Sequence, residues 1–187
     1  MTTIIAGLGN PGAEYEKTFH NMGFLSVDLL AEKLGKKIKK AECSALTWTG
    51  SIGGEKTVLA KPVTYMNLSG DALKSLVAKY GGEVIVIYDD IDIPLGSLRA
   101  RAGGTAGTHN GMKSVVERLG RTDLKRIRIG IGRGAGDLKD YVLSRPTETE
   151  AKLLSEARER LADSLLSYLK DHRDFERLMR ELNTPAN

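Results

Sequence analysis

The residues of this chain best suited to chemistry are two histidines, a short run of acids and several side-chain amides, and they fall in four separated segments. GLGNPGAEYEKTFHNMGF (residues 7–24) carries Asn10, Tyr15, His20 and Asn21, and KPVTYMNLSG carries Tyr65, Met66 and Asn67. VIVIYDDIDIPLG supplies Asp89, Asp90 and Asp92, and GGTAGTHNG supplies His109 and Asn110. A histidine can accept a proton from water near neutral pH, and a carboxylate beside it orients the ring and stabilises the imidazolium. Side-chain amides can hold the water or a developing oxyanion. No HExxH pair, cysteine cluster or activated Ser or Cys signature is present, so the set is read without a metal and without a covalent nucleophile. Singly, each residue has a plainer use: a lone histidine as a structural hydrogen-bonder, asparagine as a helix cap, acids as turn residues. Their gathering at four strand ends is what points to one site. The chemistry that fits is attack of an activated water on an ester or similar acyl group.

Gly7, Gly9 and Gly12 also match G-x-G-x-x-G after the apolar run TTIIA, the spacing of a dinucleotide-binding turn. That turn must feed directly into a helix whose free N–H groups hold a pyrophosphate, and an acid must end the next strand about 20 residues on. Here Pro11 sits in the turn without an N–H, and AEYEKTFHN shows no amphipathic stripe. The pattern predicts a helix only from about Asn21, and no strand ending in an acid follows at the right distance. The glycine spacing therefore predicts neither a nicotinamide nor any other cofactor.

These segments must be positioned by the elements around them. Apolar and alternating runs predict strands at Thr2–Gly9, Ser44–Ile52, Lys56–Pro62, Glu83–Asp90, Ser97–Ala102 and Arg126–Arg133. Helical spacing joins Val27, Leu30, Ala31 and Leu34, then Leu73, Leu76, Val77 and Tyr80, then Met112, Val115, Val116 and Leu119. Each series stops at a glycine: Gly35, Gly81 and Gly120. Thr147 with Glu150 forms a capping-box pattern before a long helix bearing Leu154, Ala157, Leu161 and Leu165. Strands alternating with helices predict a single α/β domain over residues 1–187, a mixed twisted sheet with helices on both faces. The sheet is mixed because the short GGE turn joins two of the strands as a hairpin. A C-terminal helical portion spans about 147–183, and the tail NTPAN is expected to be loose. The polar segments then lie at the carboxyl edge of the sheet, where open α/β folds bind ligands.

Charge adds a partner. The 187 residues carry a net charge of +4, but between Leu95 and Arg133 nine basic residues face two acids, while from Thr147 onward nine acids face seven bases. A concentrated basic window favours a polyanion. Alternation puts Arg99 and Arg101 on one face of a strand, and Arg126 and Arg128 likewise, two rows able to track phosphates. The single cysteine, Cys43, permits no internal disulfide and suits a reducing, cytoplasmic setting. No leader-like or membrane-spanning run is visible. The residues by themselves thus indicate a hydrolase acting on a nucleic-acid-linked ester.

Four of these stretches, GLGNPGAEYEKTFHNMGF, KPVTYMNLSG, DDIDIPLGSLRARAGGTAGTHNG and RIRIGIGRG…DYVL, together resemble the bacterial peptidyl-tRNA hydrolases, in order and spacing from about residue 3 to about residue 145. The resemblance implies cleavage of the ester between a peptide and the tRNA 3′ end, recycling tRNA from peptidyl-tRNA shed early by ribosomes. It implies His20 as the base for water and Asp89 as its orienting acid, with Asp92 supporting the turn. Asn67 and Asn110 would position the 3′-terminal nucleotide, the water and the carbonyl, beside His109. Asn10 would contact the peptide and help separate blocked from free aminoacyl groups. Tyr15, Tyr65 and Met66 would line the groove, and Arg99, Arg101 and Arg128 would hold acceptor-stem phosphates. It implies a cytoplasmic monomer that needs no metal or cofactor and binds the CCA end and acceptor stem but no membrane. Phe19 stands where the family usually has Arg, Thr108 where Gly is common, and Arg99 and Arg101 where some members have Lys. Two other readings stay open at this point: a non-catalytic RNA-binding protein on the same fold, and a small-molecule hydrolase or phosphorylase of similar architecture.

Overall fold

The computed structural model describes residues 1–186. A seven-stranded sheet runs in the order β2-β3-β4-β1-β5-β7-β6. Its strands are β1 (Thr3–Gly7), β2 (Lys40–Glu42), β3 (Ala45–Ile52), β4 (Glu55–Pro62), β5 (Glu83–Asp90), β6 (Leu98–Arg101) and β7 (Lys125–Gly130). The four middle strands, β4, β1, β5 and β7, are mutually parallel. β3 returns antiparallel as a hairpin against β4, and β2 and β6 are antiparallel edges. The sheet is therefore mixed, as the hairpin predicted. Strand β2 was not anticipated: its three residues lie in a lysine-rich stretch without apolar alternation.

The helices are α1 (Met22–Lys33), α2 (Ser69–Tyr80), α3 (Asn110–Leu119), α4 (Leu138–Val142), α5 (Glu148–Ser167) and α6 (Phe175–Asn183), with a π-helical turn at Tyr168–His172. Helices α1, α5 and α6 bury Val27, Leu30, Leu161 and Leu178 against Ile5, Ile85, Ile87 and Ile127 on one face of the sheet. Helices α2 and α3 bury Leu73, Leu76, Met112 and Val115 against Ile4, Val58, Val86 and Tyr88 on the other. The capping box at α5 forms as predicted: Glu150 N–H donates to Thr147 Oγ1, and Thr147 N–H donates to Glu150 Oε1. No helix among the described residues is long and apolar enough to cross a membrane.

The glycine fingerprint has a packing explanation. A Cβ on Gly7 would lie 2.1 Å from the carbonyl oxygen of Gly23, and one on Gly9 would enter the ring of Phe24. These glycines let α1, which starts only at Met22, sit directly on the end of β1. The space a pyrophosphate would need is filled by the protein's own helix.

Two expectations change. Strand β6 runs antiparallel to β7, with Arg101 opposite Arg126. It therefore ends at the edge of the sheet opposite the candidate site. The glycine-rich residues 102–109 climb back along the sheet to deliver His109 and Asn110 to the start of α3. Only three strand ends, not four, meet at the site; the fourth contributor is a helix N-terminus. The tail, expected to be loose from Asn183, is held at its start. Asn183 closes α6 and bonds Ala100, and Thr184 Oγ1 donates to Arg180 O. Asn187 lies outside the described residues.

Candidate active site

The site is built at the carboxyl ends of β1, β4 and β5. Asp89, the last but one residue of β5, is 2 % exposed, and each of its two oxygens is taken by a histidine. His20 Nδ1 lies 2.9 Å from Oδ2, and His109 Nε2 lies 3.0 Å from Oδ1. The histidines arrive by different routes: His20 from a 3-10 turn (Phe19–Asn21) just before α1, His109 as the N-cap of α3. As that cap, His109 Nδ1 accepts the Met112 N–H at 3.1 Å. A nitrogen that accepts carries no proton, so His109 is fixed as the neutral Nε2–H tautomer and donates to Asp89. Both of its ring nitrogens are committed. His20 spends only Nδ1 on Asp89, which leaves Nε2 as the basic nitrogen of the pair.

Electrostatics follow from that arrangement. Burial opposes the charge on His20, but the charge of Asp89 and its hydrogen bond outweigh burial and raise the imidazole pKa above its ordinary value. Burial would raise Asp89, yet the facing histidines and their hydrogen bonds hold its carboxyl well below the usual carboxylate range. Asp89 therefore stays ionised wherever His20 titrates. The ligand atoms of His20, Asp89 and His109 also lie within 4.8 Å of one another, a grouping that a cation could use. At 2.9 and 3.0 Å, however, the two ring nitrogens are placed as hydrogen-bond donors to the carboxylate.

Asn10 is held as tightly. Its backbone N–H donates to Asn21 Oδ1 at 2.8 Å, and its carbonyl accepts from Asn21 Nδ2 at 2.9 Å. Its side-chain Oδ1 accepts the Met66 N–H at 2.7 Å. With its carbonyl oxygen occupied, Asn10 offers its Nδ2 donors to the cavity. Met66 is presented by a strained backbone: Tyr65 has φ 64° and ψ 157°, a region that side chains other than glycine rarely adopt. The sequence singled out Asn21 without a role; its role is to clamp Asn10.

Asn10, His20, Asp89 and His109 line a cavity of about 500 Å³ together with Tyr65, Met66, Asn67, Tyr88 and Asn110. Asn67 and Asn110 are exposed and lie between this cavity and a second groove of about 460 Å³ bearing Lys113 and Arg118. The two asparagines are neighbours because α2 and α3 touch closely, with Gly70 N–H donating to Ser114 Oγ at 2.9 Å. The cavity's other wall is α4 and the residue after it, contributing Leu138, Lys139, Val142 and Leu143. Helix α4 is docked by Tyr141, whose ring meets Phe19 at 4.6 Å and whose hydroxyl donates to Ile131 O. That wall is missing from the sequence reading because a five-residue helix leaves no periodic signal.

Some expected residues fall elsewhere. Tyr15 does not line the cavity; it sits half-buried in a separate 3-10 turn, Ala13–Tyr15. The turn after β5 is supported by Asp90, whose Oδ1 accepts the Asp92 N–H, whereas Asp92 pairs with Arg133. Arg126, expected to track phosphates beside Arg128, is 1 % exposed. Its guanidinium donates to the carbonyls of Thr105, Thr122 and Leu124 and so anchors the ascending segment 102–109. Arg99, Arg101 and Arg128 remain on the same face, outside the cavity, near the β6 edge. Arg128 Nη1 is 3.4 Å from Asp90 Oδ2, while its buried Nε has no hydrogen-bond partner among the described residues.

Comparison with known proteins agrees with the geometry. The family model for peptidyl-tRNA hydrolase matches residues 4–187. The peptidyl-tRNA hydrolase of Alkaliphilus oremlandii is 46% identical over 172 residues, covering 90% of this chain and 93% of that protein. That of Geobacillus kaustophilus is 49% identical over 166 residues, covering 86% and 89%. Among solved structures, the peptidyl-tRNA hydrolase of Acinetobacter baumannii superposes with a TM-score of 0.91 at 30% identity, covering 98% of this chain and 95% of that one. A Campylobacter jejuni nucleosidase shares the fold alone, at 8% identity and a TM-score of 0.52. With a family match over nearly the whole length and a shared fold, this chain belongs to the peptidyl-tRNA hydrolase family.

Proposed function

We propose that this protein hydrolyses the ester joining a peptide to the 3′ end of tRNA, with His20 as general base. The observation that carries the reading is the asymmetry around Asp89: His109 has both nitrogens committed, and His20 has one left to accept a proton. His20 Nε2 removes a proton from water as the water oxygen attacks the ester carbonyl. Asp89 holds the ring through Nδ1 and stabilises the imidazolium. The tetrahedral intermediate collapses with loss of the ribose oxygen, which takes the proton back from His20. The products are a peptide acid and a tRNA with a free 3′-terminal hydroxyl. Donors on Asn67 and Asn110 suit the developing oxyanion and the terminal nucleotide of the CCA end.

Selectivity rests on Asn10. Its presented Nδ2 donates to a peptide carbonyl, which a blocked substrate has beyond the α-nitrogen. A free aminoacyl group brings instead an ammonium, which is costly to strip of water. Tyr65 and Met66 give the mouth a flat and a soft surface for base and peptide. Arg99, Arg101 and Arg128 meet acceptor-stem phosphates, recognition by backbone that serves tRNAs of many sequences. On this reading the protein acts as a monomer in the cytoplasm, where tRNA is charged.

The test measures release of labelled amino acid from N-acetyl-aminoacyl-tRNA and from free aminoacyl-tRNA, with EDTA present throughout. The expected result is rapid cleavage of the acetylated substrate alone. Tight tRNA binding without cleavage would make this a binding protein on a hydrolase fold, and equal cleavage of both would remove the role of Asn10.

A further inference from the structure

Strand β6 ends the sheet, so one row of its backbone groups has no strand partner. Two side chains occupy that row. Arg99 Nη1 donates to Leu98 O at 2.7 Å. Asn183, the last residue of α6, takes both polar groups of Ala100: its Oδ1 accepts the Ala100 N–H at 2.6 Å, and its Nδ2 donates to Ala100 O at 3.0 Å. One amide thus replaces a strand neighbour at a single residue, and that residue lies between Arg99 and Arg101. The same two-point clamp holds Asn10, through Asn21.

The two faces of β6 are used differently. Leu98 and Ala100 point into the core that α6 covers with Phe175, Leu178 and Leu182. Arg99 and Arg101 point to the opposite face, where the core under α2 and α3 includes side chains of β1, β4 and β5 but none of β6 or β7. The arginines therefore stand on a strand supported from behind and left open in front. An edge strand of four residues, hydrogen-bonded to one neighbour only, would otherwise fray, and its side chains would move with it.

We propose that Asn183 is a positioning residue for tRNA binding. By closing the free edge at Ala100 it fixes the backbone from which Arg99 and Arg101 reach the acceptor stem. This rests on the phosphate role given to those arginines above. It adds that the last residue of α6, a helix on the far side of the sheet from them, governs affinity for the RNA part of the substrate and leaves the chemistry alone.

The experiment uses two substrates: full-length N-acetyl-aminoacyl-tRNA, and the N-acetyl-aminoacyl ester of the trinucleotide CCA, which has no acceptor stem. Wild type, Asn183→Ala, Arg99→Ala/Arg101→Ala and the triple variant are compared, each with its melting temperature and self-association measured. Partial loss of a hydrogen bond to a charged group corresponds to about a fivefold change. Asn183→Ala is therefore expected to raise KM for full-length tRNA about fivefold, with kcat unchanged and the CCA ester unaffected. Added to the double arginine variant, it should change KM no further. If the arginine variant raises KM and Asn183→Ala does not, the positioning role is wrong, and an accompanying gain in self-association would mark Asn183 as edge protection only. If Asn183→Ala raises KM for both substrates, or does so without the arginines, it acts by general loosening and the proposal also fails. If the double arginine variant leaves KM unchanged, the phosphate reading falls and takes this inference with it.

Discussion

The two ends of the parallel strands both carry buried polar and charged side chains, yet they are built to opposite ends. At the amino edge, Arg173 donates to Thr3 Oγ1, Thr57 Oγ1 and the carbonyls of Ile52 and Glu55, and it pairs with Glu55. Beside it, Glu83 is met by Lys125 and by the Tyr168 hydroxyl. Among the described residues, the partners of Arg173 there are backbone carbonyls, hydroxyls and a carboxylate, and none is an imidazole. At the carboxyl edge, Asp89 is buried more deeply still, and its partners are two imidazoles on the wall of a cavity. The comparison separates two uses of a buried charge. Saturated on every side by fixed donors and acceptors, it ties elements together; shared with an imidazole whose second nitrogen is uncommitted and faces open space, it can move a proton.

The sharpest break of this contrast is to remove a titrating partner at one end. His20→Ala should lower kcat on N-acetyl-aminoacyl-tRNA by about a thousandfold or more, the scale of a lost general base, while the melting temperature barely changes. A residual rate within tenfold of wild type would mean that His20 is not the base. The matching change at the amino edge, Arg173→Ala, strands several buried acceptors and should cost about 3 kcal/mol, or roughly 10 °C in Tm for a chain of this size. Thermal unfolding should show that loss while kcat at 25 °C holds. A large fall in kcat with unchanged Tm would erase the distinction between the two ends.

How much of this was legible in the sequence depended on the range of the signal. The regular elements follow from short-range periodicity: the Val27 and Met112 series lie in α1 and α3, and the run Glu83–Asp90 is β5, whose last but one residue is the key acid. The clustering of Asn10, His20 and Asn67 follows from the rule that α/β sheets bind at their carboxyl edge. What depended on the path of the chain was hidden. Because β6 runs antiparallel, a pairing with no local mark in LRAR, residues 102–109 must climb back along the sheet to reach the site. Alternation placed Arg126 and Arg128 correctly on one face, but not that the climbing segment would cover Arg126 and turn it into an anchor. The choice between His20 and His109 could not be made from composition either. It needed the Met112 N–H, which consumes the second nitrogen of His109.

The most direct test of the central claim is the pH dependence of kcat/KM for wild type and Asp89→Asn. A base must be neutral to act, so activity is lost as pH falls through the His20 pKa, which Asp89 holds above the ordinary imidazole value. Removing the carboxylate charge leaves burial unopposed and drops that pKa. The acid limb should then move to lower pH, while the plateau falls by about a hundredfold or more as the ring loses its orienting acceptor. An acid limb at the same pH in both proteins, at whatever plateau, would contradict the account, since the titrating group would then not be the histidine that Asp89 holds.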